Sequence, residues 1–173
     1  GDPSSSDSCQ IGGNLATNAG GIKAVRYGVT RNQVYAVQIV TPYGDIVDLG
    51  SPLKKCSTGY CMEQLVIGSE GTLGIITQVT LKLQPLPPYK IDMLAIFHDQ
   101  MAAIGVVTQL VKAGIDPTSI EYMDNPNVRT TSEYLEFPGA PHIEDGIYVI
   151  ITIETFNEDE LDMKMEQARD ICE

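Results

Sequence analysis

Three prolines within four residues, Pro85, Pro87 and Pro88, divide the sequence into two parts. Proline fixes φ and lacks a backbone donor, so regular structure is expected to stop there. The charge balance changes at the same place. Residues 1–88 carry equal numbers of basic and acidic side chains, whereas residues 89–173 carry five basic and seventeen acidic ones and hold the whole net charge of −12. The sequence therefore predicts two units with different surfaces.

Composition and charge exclude several classes of protein. With 43% hydrophobic and 20% charged residues, the chain can form a packed core. No run of 18 apolar residues is present, so no membrane span is expected. Residues 1–7 are polar and lack a starting Met, which argues against a signal peptide and fits a processed or truncated chain. An acidic surface repels nucleic acid, and the neutral first unit is the better place for an anionic ligand.

The four cysteines show no spacing typical of a metal site. Cys56 and Cys61 are five residues apart with no second pair, and a closed zinc site needs four ligands. We therefore expect no metal site, and reduced cysteines that indicate the cytoplasm. His142 and Arg129 are expected to be solvated loop residues.

The first unit is predicted to contain an antiparallel sheet. Residues 34–49 read as a β-hairpin whose turn, Thr41-Pro42-Tyr43-Gly44, has proline at its second position. Residues 50–62 look like a loop and residues 65–67 like a short buried run. Residues 75–83 alternate as a strand, with Ile75, Thr77, Val79, Leu81 and Leu83 on one face.

The second unit is predicted to alternate strands and helices. Strands are expected at residues 91–97, 118–123 and 147–155, and a polar loop with a short helix near residues 128–135 fills the gap before the last strand. Asp99 and Asn157 are the predicted N-caps of two helices. The first helix has an apolar face of Ile104, Val107 and Val111, and the second has one of Leu161, Met165 and Ala168. This order matches a ferredoxin-like α+β fold that is one strand short.

Two glycine-rich segments are the candidate site. In the first, residues 11–21, glycines let backbone N–H groups approach an anion, and the serines of residues 4–8 offer hydroxyls to phosphate and ribose oxygens. The second, residues 68–76, joins a buried run to a strand. Its spacing is not the Rossmann fingerprint, because a strand and not a helix follows it. Taken singly, the first segment is equally compatible with a tightly packed turn, and for the second a glycine-rich turn is the default interpretation.

Together, about fifty residues apart, the two segments are more specific. The strings Asp2-Pro3-Ser4-Ser5, Ile11-Gly12-Gly13-Asn14, Asn18-Ala19-Gly20-Gly21, Val25-Arg26-Tyr27-Gly28, Thr30-Arg31 and Gly68-Ser69-Glu70-Gly71-Thr72-Leu73-Gly74-Ile75 resemble FAD-linked oxidases of the vanillyl-alcohol oxidase type. The similar branch contains D-lactate dehydrogenases and the glycolate oxidase D subunit. The resemblance covers residues 1–88 closely and residues 89–173 more loosely, where Ile120-Glu121-Tyr122-Met123-Asp124 is similar to the opening of the family's substrate domain.

The resemblance implies a fold and a cofactor. The fold is α+β, with the second part of a PCMH-type FAD-binding domain in residues 1–88 and an incomplete ferredoxin-like substrate (cap) domain in residues 89–173. Residues 4–13 would lie along the FAD pyrophosphate, residues 17–20 would border the flavin, and residues 70–76 would contact the cofactor through backbone groups. The implied contacts are Ser4, Ser5, Ser6, Asp7, Ser8, Cys9, Gln10, Ile11, Gly12, Gly13, Thr17, Asn18, Ala19, Gly20, Glu70, Gly71, Thr72, Leu73, Gly74, Ile75 and Ile76.

The sequence also departs from the family pattern. Gln10 stands where the family usually has threonine, which puts a hydroxyl contact in doubt. The family's Arg-Gly-Gly-Gly-Thr loop, its paired-histidine metal motif and its substrate-clamping arginines do not occur. We therefore expect no catalytic residue and no metal ligand in this chain, and weak or no FAD binding by the chain alone.

The predicted function is that of a fragment of an FAD-dependent dehydrogenase that oxidises a 2-hydroxy acid such as D-lactate or glycolate by hydride transfer to flavin. The expected partners are this small acid and an electron-acceptor protein guided by the acidic second unit. The expected location is the cytoplasm, with peripheral membrane attachment open for the whole protein. Two alternatives stay open: an alkyl-glycerone-phosphate synthase-like or aryl-alcohol oxidase-like member, and a non-catalytic partner-docking module.

Overall fold

The computed structural model describes residues 2–135 and 146–173. The chain forms two compact units, Gly1–Pro85 and Leu86–Glu173, which we call unit 1 and unit 2. The assignment of residues 1–88 and 89–173 to a cofactor domain and a substrate domain stays a prediction at this point. The expectation for His142 lies outside the described residues.

Unit 1 is a small antiparallel sheet packed against short helices. Its sheet has the order β2-β1-β3, and Leu15, Val37 and Ile67 lie in its core. The elements are α1 (Ile11–Thr17), α2 (Ala24–Tyr27), a 3-10 turn (Thr30–Gln33), β1 (Val34–Val40), β2 (Ile46–Gly50), α3 (Met62–Val66) and β3 (Ile75–Leu81).

The predicted hairpin is confirmed, because β1 pairs antiparallel with β2 and Val40 lies opposite Ile46. The single-face prediction for residues 75–83 is wrong. Ile76 and Val79 both pack against the core, since the pairing of β3 with β1 shifts register between Gln38 and Ile39. Such a bulge breaks strict alternation and turns different side chains inward.

A helix occupies part of the segment that the sequence presented as a loop and a buried run. α3 spans Met62–Val66, and Val66 and Ile67 are buried. The helix is only five residues long, so its formation depends on packing more than on helix propensity. Local periodicity over so few residues could not distinguish it from a short strand.

Unit 2 has the predicted alternation of strands and helices. The sheet order is β4-β6-β5, and both pairings are antiparallel. In the described part of the chain this is a split β-α-β arrangement without a fourth strand, as the incomplete ferredoxin-like prediction requires. The elements are β4 (Tyr89–Phe97), α4 (Gln100–Lys112), β5 (Ser119–Met123), α5 (Asn125–Leu135), β6 (Ile147–Thr155) and α6 (Glu158–Cys172).

Both predicted N-caps are confirmed. The Asp99 carboxylate accepts a hydrogen bond from the amide of Ala102 at 2.8 Å, and the Asn157 side chain accepts one from the amide of Glu160 at 3.3 Å. Each bond satisfies an amide that the first turn of a helix leaves without an intrahelical partner. Arg129 is exposed, as expected, but it lies on helix α5 and not in a loop.

The buried face of α4 differs from the apolar face that the sequence indicated. Ala103, Val106 and Leu110 are buried, whereas Ile104 and Val111 are exposed. The two sets are neighbouring stripes with the same helical spacing, so periodicity alone cannot choose between them. In α6 the predicted positions Leu161 and Ala168 do face the core.

Helices α4 and α6 cover one face of the sheet of unit 2, and the central strand β6 supplies Val149, Ile151 and Ile153 to the core between them. In the part of the chain that the structure describes, no helix combines the length and apolar character needed to cross a bilayer.

We expect the substitution Ile151→Ala to lower the free energy of unfolding of unit 2 by about 2–5 kcal/mol. Ile151 is fully buried on the central strand, so alanine loses the transfer free energy of the side chain and leaves a cavity. Urea unfolding followed by circular dichroism measures the change. The control Met163→Ala removes an exposed side chain of α6 and should alter stability by no more than about 0.5 kcal/mol. If both substitutions lowered the free energy of unfolding equally, Ile151 would not lie in the core of unit 2 as described.

Candidate functional site

The two glycine-rich segments of unit 1 lie directly against each other. The amide of Gly68 donates to the carbonyl of Leu15 at 2.9 Å, and the amide of Glu70 donates to the carbonyl of Ala16 at 2.9 Å. Carbonyls at the end of a helix have no intrahelical donor. The second segment therefore adds donors to the last turn of α1, where Leu15 also accepts a longer bond of 3.3 Å from the amide of Asn18, and these bonds hold the two segments side by side.

Arg31 also links the two glycine-rich segments, and we call this contact region the junction. Its guanidinium Nη2 donates to the carbonyl of Ile67 at 2.8 Å, and its own amide donates to Oδ1 of Asn18 at 2.9 Å. A Cβ added at Gly68 would lie 3.1 Å from the Arg31 guanidinium and 3.0 Å from the Cβ of Asn18. Glycine is therefore required at position 68 for two reasons: its φ is +86°, and a side chain would have no room. Arg31 thus links the helix end to the second segment.

A groove of about 170 Å³ runs between the two segments. Five of the predicted cofactor contacts line this groove: Gly12, Gly71, Gly74, Ile75 and Ile76. Ala16 and Ser69 also line it and were not among the predicted contacts. Their small side chains within the two segments could have indicated this position, because a larger side chain would fill the groove.

Gly12 and Gly13 differ in kind from the other glycines of the site. Both lie exposed on α1, and a Cβ added to either would meet no atom within 4 Å. Glycine inside a helix costs about 0.5–1 kcal/mol relative to alanine. Packing within the protein does not explain that cost. What the two glycines provide is bare backbone beside the groove.

Gly74 has an internal structural reason. A Cβ added there would lie 2.8 Å from the carbonyl oxygen of Val40, and its φ is +153°. Close strand pairing therefore requires glycine at this position, whether or not a ligand is present. Thr72 closes the preceding turn, with its amide donating to the carbonyl of Ser69 at 3.0 Å and its hydroxyl donating to the same oxygen at 2.6 Å.

Residues 4–10 form turns ahead of α1. The amides of Ser8 and Cys9 both donate to the carbonyl of Ser5, at 2.9 and 2.8 Å, and the amide of Ser6 donates to Pro3 at 2.8 Å. These donors are directed into the local turns. The side chains of residues 4–8 are exposed and do not line the groove. Their contacts with phosphate and ribose stay a prediction.

Residues 17–20 take part in internal contacts. The Thr17 hydroxyl donates to the carbonyl of Gly13 at 3.0 Å, and the Ala19 carbonyl accepts bonds from both the amide and the hydroxyl of Thr30. A Cβ added at Gly20 would lie 2.9 Å from Cγ1 of Val29. These contacts fix the chain after α1, and the predicted border with a flavin stays untested.

Unit 1 has a second, larger cavity that was not predicted from the sequence. Its volume is about 360 Å³, and it lies between the start of β1, the loop after β2 and helix α3. Lys54, Cys56, Cys61, Glu63 and Lys82 are in its wall, and none of its lining residues belongs to the groove. We call it the loop cavity, since residues 51–61 form much of its wall.

The ionisable groups of the loop cavity are of both signs. Glu63 is buried, whereas Lys54 is exposed. The ammonium of Lys82 donates to the carbonyl of Asn32 at 2.8 Å and lies 5.3 Å from the ring centroid of Tyr35. Within residues 2–135 and 146–173, no group of three or more histidine, cysteine, aspartate or glutamate side chains is arranged to hold a metal ion.

Two family models match the chain. The model described as "FAD binding domain" matches residues 1–50, and the model described as "FAD linked oxidases, C-terminal domain" matches residues 86–173. The second match covers more than half of the chain.

Curated relatives align over nearly the whole chain. It is 39% identical over 165 residues to a D-lactate dehydrogenase of Anaerostipes hadrus, an alignment that covers 93% of this chain and 35% of the relative. It is 37% identical over 171 residues to glycolate oxidase subunit GlcD of Bacillus subtilis (strain 168), covering 99% and 36%. A D-2-hydroxyglutarate dehydrogenase of Stutzerimonas stutzeri (strain A1501) is 34% identical over 158 residues, covering 91% and 34%. The chain spans about a third of the length of these relatives.

Solved structures of alkyldihydroxyacetonephosphate synthase have a similar fold. In the P212121 crystal form the TM-score is 0.72 at 24% identity, with 93% of this chain and 31% of the other covered. In the P1 form the TM-score is 0.73 at 24% identity, with 98% and 34% covered. At this identity the likeness shows the fold alone.

We expect Arg31→Ala to lower the free energy of unfolding of unit 1 by about 1–3 kcal/mol. The carbonyl of Ile67, a residue with no exposed surface, would lose the donor that satisfies it, and a buried acceptor without a partner costs about this much. Chemical unfolding of the chain measures the loss. The control Lys55→Ala removes an exposed cation and should change stability by no more than about 0.5 kcal/mol. If Arg31→Ala unfolds like the unchanged chain, the junction does not depend on this side chain.

Proposed function

The chain belongs to the family of FAD-linked oxidases, and from this membership we propose that it is part of an FAD-dependent dehydrogenase that oxidises a 2-hydroxy acid. FAD is the cofactor of this family. The relatives that align over more than nine-tenths of the chain are named for D-lactate, glycolate and D-2-hydroxyglutarate. These three acids share a carboxylate with a hydroxyl on the adjacent carbon, which supports this substrate class.

The observation that carries the proposal is the groove between the two glycine-rich segments. Gly12 leaves bare backbone on one wall with Gly13 next to it in α1, and Ser69, Gly71 and Gly74 add small residues beside Ile75 and Ile76 on the opposite wall. A flat, anionic dinucleotide needs this kind of surface, because backbone amides can approach it only where no Cβ intervenes. The residues present therefore fit FAD.

We assign the cofactor contacts to the residues that line or border the groove, with residues 4–10 and 17–20 as further proposed contacts. These residues would hold FAD, which when bound would supply a hydride acceptor for the oxidation of a carbon that bears a hydroxyl. In this proposal the residues of this chain hold and orient the cofactor, and the small residues among them leave space for it. We assign none of them a proton-transfer role.

The groove is too small for a whole dinucleotide. Its 170 Å³ lies below the roughly 300–1,000 Å³ of pockets that enclose drug-sized ligands. The chain therefore supplies one wall of the cofactor site. With the other contacts absent, the interaction free energy barely exceeds the entropy cost of association, so the isolated chain should hold FAD weakly or not at all.

Of the alternatives, an alkyl-glycerone-phosphate synthase-like activity has only the fold in its favour, since the solved structures of that enzyme are 24% identical. The hydroxy-acid enzymes are 34–39% identical.

We also propose an electron-acceptor protein as a partner, because an acidic unit 2 can steer a basic acceptor. The cytoplasm stays the proposed location, on the basis of the cysteine pattern.

The proposed activity can be tested with a longer protein that contains the segments preceding and following this chain in its relatives. Without oxygen, we expect D-lactate, glycolate or D-2-hydroxyglutarate to bleach the visible absorbance of the bound flavin, and L-lactate to leave it unchanged. A folded longer protein that is colourless, with no visible absorbance even after incubation with excess FAD, would contradict the proposal and favour a non-catalytic docking module.

Gly12→Ala and Gly13→Ala should separate stability from cofactor binding. We expect each to raise the stability of the chain by about 0.5–1 kcal/mol, because alanine favours the helix and meets no neighbouring atom. In the longer protein each should weaken FAD binding by about tenfold or more, which corresponds to about 1.4 kcal/mol. Thermal unfolding and flavin fluorescence titration measure the two effects.

The matched control is Gly105→Ala on α4, where a Cβ also meets no atom within 4 Å. It should stabilise unit 2 by a similar amount and leave FAD affinity unchanged. If the two substitutions on α1 also leave the affinity unchanged, the bare backbone of that helix does not contact the cofactor.

A further inference from the structure

We propose that Cys56 and Cys61 form a reversible thiol–disulfide pair in the wall of the loop cavity, oxidised by a low-molecular-weight disulfide such as glutathione disulfide. The inference rests on the loop cavity alone and is independent of the proposed cofactor and substrate. It predicts a modification site at residues distinct from those of the groove.

The structure brings both thiols to the same cavity. Cys56 and Cys61 each line it, and both are exposed free thiols. Sγ of Cys56 lies 4.0 Å from the carbonyl oxygen of Thr58, so this thiol is turned toward the segment that leads to Cys61. Between them Gly59 has a φ of +76°, a left-handed conformation that glycine adopts without strain, and the chain bends at residues 58–59.

The segment between the thiols is free to complete the approach. A disulfide requires Cα atoms about 4.4–6.8 Å apart. Among the residues that the structure describes, residues 54–59 make no backbone-to-backbone hydrogen bond, and a Cβ added at Gly59 would meet nothing within 4 Å. Cys61 is the N-cap of α3 and is held by the bond from the amide of Gln64 to its carbonyl. Residues 54–59 can therefore adjust while the helix stays in place.

The other two cysteines are placed differently. Cys9 is half-buried, and its sulfur accepts a bond from Asn14 at 3.3 Å. Cys172 is half-buried in unit 2, where burial raises the pKa of its thiol and disfavours the reactive thiolate. Neither lies in the loop cavity. They serve as internal references for the reactivity of Cys56 and Cys61.

The exchange is balanced in atoms and electrons. The thiolate of one cysteine attacks a sulfur of glutathione disulfide, which forms a mixed disulfide and releases one glutathione. The thiolate of the second cysteine then attacks the protein sulfur of that mixed disulfide, which forms the Cys56–Cys61 bond and releases a second glutathione. The protein loses two electrons and two protons, which reduce the oxidant. Excess thiol reverses both steps.

The bond would fix one wall of the loop cavity. Ser57, Thr58 and Gly59, which lie between the thiols and line the cavity, would be held in a closed loop. Access to a space of about 360 Å³ would then depend on redox state. The groove shares no lining residue with this cavity, so its shape should not change.

The test is peptide mass analysis of the folded chain after exposure to glutathione disulfide, acid quenching, alkylation and trypsin digestion. Trypsin cleaves after Lys55 and Lys82 and at no position between them, so both thiols fall on the peptide 56–82. We expect this peptide to lose two hydrogen masses and accept no alkyl group. After dithiothreitol it should accept two.

Single variants provide the controls. In Cys56→Ser and in Cys61→Ser, the remaining thiol should retain a glutathione adduct, since no second thiol can resolve it. Cys9→Ser and Cys172→Ser should leave the internal link unchanged. In the chain without substitutions, three results for the peptide 56–82 would each overturn the proposal. These are two alkyl groups accepted before reduction, two glutathione adducts, or a disulfide link to a second chain.

A rate comparison tests the role of the fold. The internal link should form faster in the folded chain than in the chain dissolved in concentrated urea, because the fold confines both thiols to the wall of one cavity. An equal or slower rate in the folded chain would show that the structure does not bring them together, and it would overturn the proposal even if the link eventually forms.

Discussion

The hydrogen bonds from Gly68 and Glu70 to the last carbonyls of α1 are the contacts on which the site depends. They join segments about fifty residues apart in sequence and add donors at a helix end whose carbonyls are only partly satisfied by local amides. Arg31 reinforces the same junction through Ile67 and Asn18. Without these contacts the groove would have only one wall. The geometry of the groove is therefore fixed by backbone pairing, and five of its seven lining residues are glycine, alanine or serine.

The glycines of the site fall into two physical groups. Gly68 and Gly74 are required by positive φ and by neighbouring atoms, so a packed turn explains them completely. Gly12 and Gly13 lie in a helix with open space above them, and there glycine lowers stability without a packing benefit. The sequence shows both groups as similar glycine-rich strings. The surroundings of each Cβ position separate the groups: they explain Gly68 and Gly74 without a ligand, and the proposed ligand contact rests on Gly12 and Gly13.

Features set by local chemistry could be predicted from the sequence, and those set by distant contacts could not. The hairpin and the caps at Asp99 and Asn157 depend on residues within a few positions of one another. The buried face of α4 depends instead on which of two adjacent stripes meets the sheet, and the inward turn of Ile76 depends on a bulge in pairing with β1. The site shows the same division: the two segments were visible in the sequence, but the loop cavity was not, since its walls come from β1, residues 51–61 and α3.

The distribution of charge agrees with a dinucleotide site in unit 1. The pyrophosphate of FAD is anionic, and the acidic excess lies entirely beyond the proline stretch, whereas the residues before it carry no net charge. In unit 2 the ion pairs Lys90–Asp92 and Lys164–Glu160 involve partly or largely exposed acids, so they contribute little to stability. The acidic surface of unit 2 therefore gains little stability from these two pairs. Its effect is on association, where a field of one sign favours basic partners and repels anionic ones. The residues of the groove belong to unit 1 alone, and this unit carries no net charge, so the proposed cofactor wall has no excess of like charge within its own unit.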